Sequence, residues 1–302
     1  METKYFKIQS TSDHLNLSST MMIPEGNAQA VIMFSHGMAE HKELYYDFMS
    51  YLCAQGFIVL IHDHRGHGES VIDKKDLGYF YDETSDFIVE DLHDVFNYVH
   101  SLYPDLPVYL FSHSMGTLVA RKYLKKYDNT LSKLVLCGAP CANPLVDIAI
   151  GLAKLASSFS GGHNRNNLIN NLVFGASDKM FKGERKNRWL SANDDNVIAY
   201  NEDPLCGFIF TNNGFLNLFR LLKDVFSPKG WLMQNGDLPI LFIAGADDPV
   251  IGSLTKWQAT QEDLIKHGYH NIQAIPYVGL RHEILNEKNK SQIYQDVLEF
   301  FK

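Results

Sequence analysis

The stretch Val108-Tyr109-Leu110-Phe111-Ser112-His113-Ser114-Met115-Gly116, running on into 117–127, hands a short apolar run over to a helical pattern within one turn. Residues 108–111 have the aliphatic and aromatic content of a buried strand, and 117–127 carries the three- and four-residue spacing of a helix. A sharp turn between such elements strains the backbone of Ser114 and lifts its hydroxyl above the sheet, as a nucleophile requires. Strand and helix nearly touch there, so the positions two before and two after the serine must be small. Gly116 meets that condition, and Ser112 stands where glycine is usual, one hydroxyl larger than alanine. The opening of the helix also leaves backbone N–H groups beside the serine, so the N–H of Met115 can donate to a developing oxyanion. A serine N-cap on an ordinary helix would read the same over these five residues. The surroundings decide between the two.

Outward from this turn, short apolar runs alternate with amphipathic stretches, the pattern of a largely parallel sheet wrapped by helices. Residues 5–10 and 15–23 read as an antiparallel lead-in, followed by turn chemistry at 24–27. Strands are expected at 30–35, 57–62, 108–111 and 131–137, interleaved with helices at 44–54, 85–102 and 117–127. Between about 141 and 233 the rhythm breaks into helical patterns and a polar loop at 161–167. It resumes with a strand at 239–244, a helix at 254–267, a strand at 272–277 and a final helix at 291–301. The prediction is one α/β domain with a mostly parallel eight-stranded sheet: core 1–140, helical cap or lid 141–233, core 234–302.

Composition narrows the function. With 302 residues and 45% hydrophobic content the chain can bury a substantial core, and its formal net charge of −8 disfavours nucleic acid as a partner. The charge also disfavours a polybasic grip on anionic lipid, although an apolar patch on the cap can still make transient contact with a membrane surface. The start, Met1 to Lys7, has no basic-then-apolar leader, and no apolar run is long enough to span a bilayer. Cys53, Cys137, Cys141 and Cys206 show no paired or metal-like spacing, so free thiols and a cytoplasmic location are expected.

Two further loops supply the partners that a serine nucleophile needs. After the strand at 239–244 comes Gly245-Ala246-Asp247-Asp248-Pro249-Val250, and after 272–277 comes Val278-Gly279-Leu280-Arg281-His282-Glu283. Both lie at C-terminal strand ends, where ligands gather in open α/β sheets. His282 is placed to accept the serine proton, and an aspartate to hold its tautomer and stabilise the imidazolium. The residues alone leave Asp247 and Asp248 both open.

Taken together, His36-Gly37, Asp63-His64-Arg65-Gly66-His67-Gly68-Glu69-Ser70, the SHSMG turn, GADD and Gly279-Leu280-Arg281-His282-Glu283 resemble the monoacylglycerol lipase and lysophospholipase branch of the α/β-hydrolases. Asn201 to Phe208 resembles the lid region of its bacterial members. The resemblance implies the α/β-hydrolase fold, selects Asp248 over Asp247, and assigns the second oxyanion donor to the N–H of Met38, in the loop after strand 30–35. It implies a triad of Ser114, His282 and Asp248, with no cofactor and no metal. The stretch His62 to His67 could by composition hold a metal. The resemblance instead gives Asp63, Arg65 and the glycines a tight, internally hydrogen-bonded turn.

In the cap, 145–155 and 214–222 are nearly charge-free. Many of their side chains must pack the cap onto the core, while others can line an acyl-chain tunnel. Leu152 and Phe215 are the expected substrate-binding residues. The reaction expected is hydrolysis of a small lipid ester, a monoacylglycerol or lysophospholipid, through an acyl-enzyme. Two alternatives stand beside it. A peptidase or amidase of iminopeptidase type would use cap carboxylates such as Glu184, Asp194, Asp195, Glu202 or Asp203 to hold a substrate amine. A ligand-binding sensor would keep the fold without turnover.

Overall fold

The computed structural model describes residues 1–302. The chain opens with β1 (Glu2–Gln9) and β2 (Asn16–Ile23), then β3 (Val31–Ser35), α1 (Tyr46–Ala54), β4 (Ile58–His62), α2 (Phe87–Leu102), β5 (Val108–His113), α3 (Met115–Tyr127) and β6 (Lys133–Cys137). Four helices follow without a strand: α4 (Val146–Ser160), α5 (Asn167–Met180), α6 (Asp194–Glu202) and α7 (Asn212–Val225). The chain ends with β7 (Ile240–Gly245), α8 (Leu254–Lys266), β8 (Ile272–Tyr277) and α9 (Lys290–Phe301). The eight strands form one sheet in the order β1-β2-β4-β3-β5-β6-β7-β8, antiparallel at β1–β2 and β2–β4 and parallel from β4 onward.

Every residue of β3, β4 and β7 is buried, which explains their uninterrupted apolar runs. Alternate side chains feed two core layers. Val31, Met33, Leu110 and Leu134 meet α2, α3 and α8 on one face, while Ile32, Phe34, Phe111 and Val135 meet α1 and α9 on the other. The structure departs from the sequence expectation at β5. The strand continues through Ser112 and His113, because both still pair with neighbours, Ser112 with Ser35 and His113 with Cys137. Two polar residues hid that extension.

The insertion between β6 and β7 is layered. Helix α7 is largely buried and joins the core through Phe215, Leu221 and Val225. Its first turn is tied to the 78–82 loop: Asn213 Oδ1 accepts from the Phe80 N–H at 2.8 Å, and the Asn213 and Asn217 amides donate to the Asp82 carbonyl at 2.6 and 2.7 Å. The outer helices are different. Only Ala153 of α4 and Ile169 of α5 are buried.

Candidate active site

Ser114 sits between β5 and α3 with φ 51° and ψ −119°, a conformation that costs a non-glycine residue on the order of 1–3 kcal/mol. Tight neighbours hold it there. Its N–H donates to the Cys137 carbonyl at 2.9 Å, and its own carbonyl accepts from the Thr117 N–H. A Cβ on Gly116 would lie 2.1 Å from the Ser35 carbonyl oxygen, so only glycine allows α3 to approach β3 this closely. At the other flanking position Ser112 is tolerated because its Oγ donates to the Val135 carbonyl at 2.9 Å, inside the sheet.

The loops after β7 and β8 are pressed together at Gly245, where a Cβ would meet the Leu280 and Arg281 carbonyl oxygens at 2.3 and 2.1 Å. This contact brings Asp248 Oδ2 to 2.7 Å from His282 Nδ1, and Asp248 Oδ1 accepts from the Val250 N–H. Both residues are buried, whereas Asp247 faces solvent. Of the two aspartates left open by the residues alone, Asp248 is the one on the histidine. Gly138, at φ 61° after β6, closes the arrangement from below: a Cβ there would stand 3.1 Å from His282 Cε1 and 3.3 Å from Asp248 Oδ2. One short segment, Cys137-Gly138, therefore touches the serine N–H on one side and the histidine ring on the other.

Met115 is the first residue of α3, so its N–H has no acceptor within the helix. Met38 and Met115 line the same cavity as Ser114. Behind that loop lies a buried polar network absent from the sequence expectations. Glu40 Oε1 accepts from the Gly37 N–H and from Tyr45 Oη at 2.6 Å. The His113 Nδ1–H points at Tyr45 Oη (2.9 Å) and Glu40 (3.3 Å), while its Nε2–H reaches the His282 carbonyl at 3.3 Å. Both ring nitrogens thus face acceptors, as in an imidazolium. Burial opposes that charge, but Glu40 outweighs it and raises the His113 pKa. Burial likewise opposes ionisation of Glu40, and His113 holds its carboxyl down at about 2. The pair links the Gly37-Met38 loop to the histidine loop. The signal in the sequence was the pairing of His113, beside the serine, with Glu40, three residues after Gly37.

The cap reaches the site through a second unpredicted residue, Trp189, whose ring centroid is 5.2 Å from that of His282. Its segment is pinned by Arg281, which donates to the Arg188 and Ser191 carbonyls at 2.6 and 2.8 Å, and by the Glu283 N–H on the Leu190 carbonyl.

The two charged residues of the histidine-rich stretch, Asp63 and Arg65, are spent on protein contacts, while both ring nitrogens of His62, Nδ1 of His64 and Nε2 of His67 have no partner. Asp63 accepts from the Lys42 N–H, Lys42 Nζ and the Glu69 N–H, and Arg65 is held by Asp91 at 2.7 and 2.9 Å. A Cβ on Gly68 would strike the Asp63 carboxylate at 2.3 Å. His36, His62, His64 and His67 are all buried. A separate trio, His41, Asp203 and Cys206, brings potential ligand atoms within 4.8 Å of one another. However, His41 already bridges Glu43 and Asp203 at 2.5 and 2.9 Å. Despite its burial these carboxylates lift it to about 9, so it is an imidazolium between two carboxylates, not a free ligand.

A cavity of about 590 Å³ opens onto Ser114, and 18 of its 26 lining residues are hydrophobic. Leu152 lines it. Phe215 does not: it is fully buried, stacked on Phe219 and tilted against Phe210 with centroids 5.9 Å from each. The α7 residues on the cavity wall are Leu218, Phe219 and Leu222. The apolar run 214–222 faces the core on one side and the cavity on the other, and Phe215 falls on the core side.

Comparison with known proteins identifies the family. A protein of Haemophilus influenzae named "Probable lysophospholipase L2" is 37% identical over 286 residues, covering 88% of this chain and 81% of its own. The monoacylglycerol lipase of Mycolicibacterium smegmatis is 26% identical, over 91% of this chain and 88% of its own. The crystal structure of a carboxyl esterase from Bacillus coagulans superposes with a TM-score of 0.89 at 26% identity, covering 100% of this chain and 98% of that one. The family model described as "Serine aminopeptidase, S33" matches residues 26–289. The chain belongs to that family, as an α/β-hydrolase of the monoacylglycerol lipase and lysophospholipase branch.

Proposed function

We propose that the protein is a serine carboxylic ester hydrolase acting on monoacylglycerols or lysophospholipids. The observation that carries this reading is the cavity at Ser114: it is predominantly apolar, and Lys256 is the only charged residue on its wall. An acyl chain fits such a wall, each buried methylene contributing roughly 0.8 kcal/mol. None of Glu184, Asp194, Asp195, Glu202 and Asp203 lines the cavity, so the carboxylates that would hold a peptide amine are elsewhere. Asp194 faces Arg188 and Asp203 faces His41.

In this mechanism Asp248 fixes the proton on His282 Nδ1, leaving Nε2 to accept the Ser114 proton as the serine attacks the ester carbonyl. The N–H groups of Met38 and Met115 hold the oxyanion. His282 then protonates the leaving alcohol and activates water to hydrolyse the acyl-enzyme. Helices α4 and α5 act as the lid over the acyl chain. Four free cysteines, three of them buried, support a cytoplasmic location, and no helix is long and apolar enough to cross a membrane.

The test is a panel of p-nitrophenyl esters, monoacylglycerols, lysophospholipids and aminoacyl amides, run with the wild type and Ser114→Ala. Long-chain esters should be preferred, and the variant should lose on the order of 10⁴- to 10⁶-fold in kcat. A flat chain-length profile with good amide turnover would promote the peptidase reading. Fluorophosphonate labelling without turnover would leave a binding protein.

A further inference from the structure

Helix α6 has little apolar packing of its own. It is nine residues long, and only Val197 and Tyr200 among them are buried. Its polar side chains are spent instead on the two loops that flank Ser114. The Asn196 side-chain amide donates to Glu283 Oε2 at 2.6 Å, directly beside His282. One turn further on, Tyr200 Oη donates to the Ala39 carbonyl at 2.9 Å, and the Gly207 N–H donates to the same oxygen at 2.9 Å. Asp203, which ends the helix, accepts from His41 Nε2 at 2.9 Å. Residues 196, 200 and 203 recur at four- and three-residue spacing, so the contacts to both loops come from one face of α6.

Both points of attachment need holding. Ala39 follows Met38, the proposed oxyanion donor, and has φ 53°, a left-handed conformation that a residue with a Cβ keeps only where its surroundings impose it. The 37–40 loop is held from the core by Glu40, which takes the Gly37 N–H, and from the cap by Tyr200 and Gly207. Glu283 is anchored more thinly. Its Oε1 has no partner, and its Oε2 has only Asn286 at 3.4 Å besides Asn196.

We infer that α6 is a brace that sets the oxyanion loop against the histidine loop, with Tyr200 and Asn196 as positioning residues for the hydrolysis. The inference rests on the Ser114 mechanism proposed above. It divides the insertion by role. Residues of α4 and α5 line the cavity that would take the acyl chain, whereas none of α6 does. Loss of the brace should therefore slow the reaction equally for short and long acyl chains.

The experiment compares Tyr200→Phe, Asn196→Ala and the double variant with the wild type, on p-nitrophenyl acetate and on a long-chain p-nitrophenyl ester. Turnover is taken per site titrated with a fluorophosphonate, so an unfolded fraction does not count. Each single variant should lower kcat about tenfold, less than outright loss of an oxyanion donor. KM should stay nearly unchanged, and the factor should be the same for both esters. An alkylboronic acid, which forms a tetrahedral adduct on the serine, should bind more weakly by that factor. A brace released at one end is already slack, so the double variant should lose little more than the worse single one. Two independent contacts would instead multiply their losses. Multiplied losses would overturn the inference, as would a rise in KM confined to the long ester. Unchanged kcat per site, whatever happens to the unfolding midpoint, would make α6 a packing element alone. A wild type that turns over no ester would refute the proposed function and the brace together, whereas variants that fail to slow an active wild type would refute only the brace.

Discussion

Lowering the pH from 8 to 5 should remove about 6 kcal/mol of folding free energy through His36, His62 and His67 alone. Burial drives the His36 imidazole down to about 4 and those of His62 and His67 to about 3, against 6.5 for an ordinary histidine. His64, packed among them with ring centroids 4.5 Å from His36 and 4.8 Å from His62, is pushed the same way. At pH 5 the unfolded chain has taken up these protons and the folded chain has not, so each of the three groups costs about 2 kcal/mol. The sum barely depends on how deep each depression goes, since all three rings are still neutral at pH 5 in the fold. It is comparable to the whole stability of a typical domain, roughly 5–15 kcal/mol. The sign reverses at higher pH. His41 is raised to about 9, so the stability it contributes is complete below 6.5 and is lost as pH climbs through 9. The acid-side loss is already under way at pH 6.5, so stability should peak near about pH 7. The assay is urea unfolding at pH 8, 6.5 and 5 at constant ionic strength. His62→Leu sharpens it, because neither ring nitrogen of His62 has a partner. The variant should cost less than about 1.5 kcal/mol at pH 8 and recover about 2 kcal/mol of the loss at pH 5. A midpoint that stays flat or rises from pH 6.5 to 5, or a variant with unchanged acid sensitivity, would refute the reasoning.

Asp248→Asn should lower kcat about 10⁴-fold by favouring the wrong His282 tautomer. Asp247→Asn, at an exposed site, should stay within about twofold, and p-nitrophenyl butyrate kinetics would expose a reversed ranking. Glu40→Gln should reduce kcat roughly ten- to a hundredfold with KM nearly unchanged, less than outright loss of an oxyanion donor; a rise in KM alone would place Glu40 in binding and not in positioning. Leu152→Ser should cut kcat/KM for long-chain esters several-fold more than for acetate. Phe215→Ala should instead destabilise the fold by about 3–5 kcal/mol without altering chain-length preference, as thermal unfolding beside the same ester series would reveal.

The strands were legible because their burial is continuous: 30–35 and 57–62 read as apolar runs, and β3 and β4 fill them but for one residue at each start. The serine turn was legible because two close backbone approaches limit what its neighbours can be. The aspartate choice was settled by resemblance, and its physical reason, the Gly245 contact that aims Asp248 at His282, exists only in three dimensions. Phe215 was misread because helix α7 has apolar residues on opposite sides, and periodicity cannot say which side meets the cavity. Glu40 and His113 escaped notice because each gains its meaning from the other, 73 residues away.

The order of the strands has a thermal consequence. The oxyanion loop, the serine, Gly138, the aspartate and the histidine follow β3, β5, β6, β7 and β8, five strands lying side by side. The groups of the proposed mechanism are thus spread along one edge, the C-terminal ends of five hydrogen-bonded strands, on the loops that the sheet anchors. On heating, the ability to cleave a short, water-soluble ester should persist until the whole sheet melts. Helices α4 and α5, with one buried residue each, hold no part of that edge, so discrimination between long and short acyl chains should fade at lower temperature, ahead of the chemistry itself.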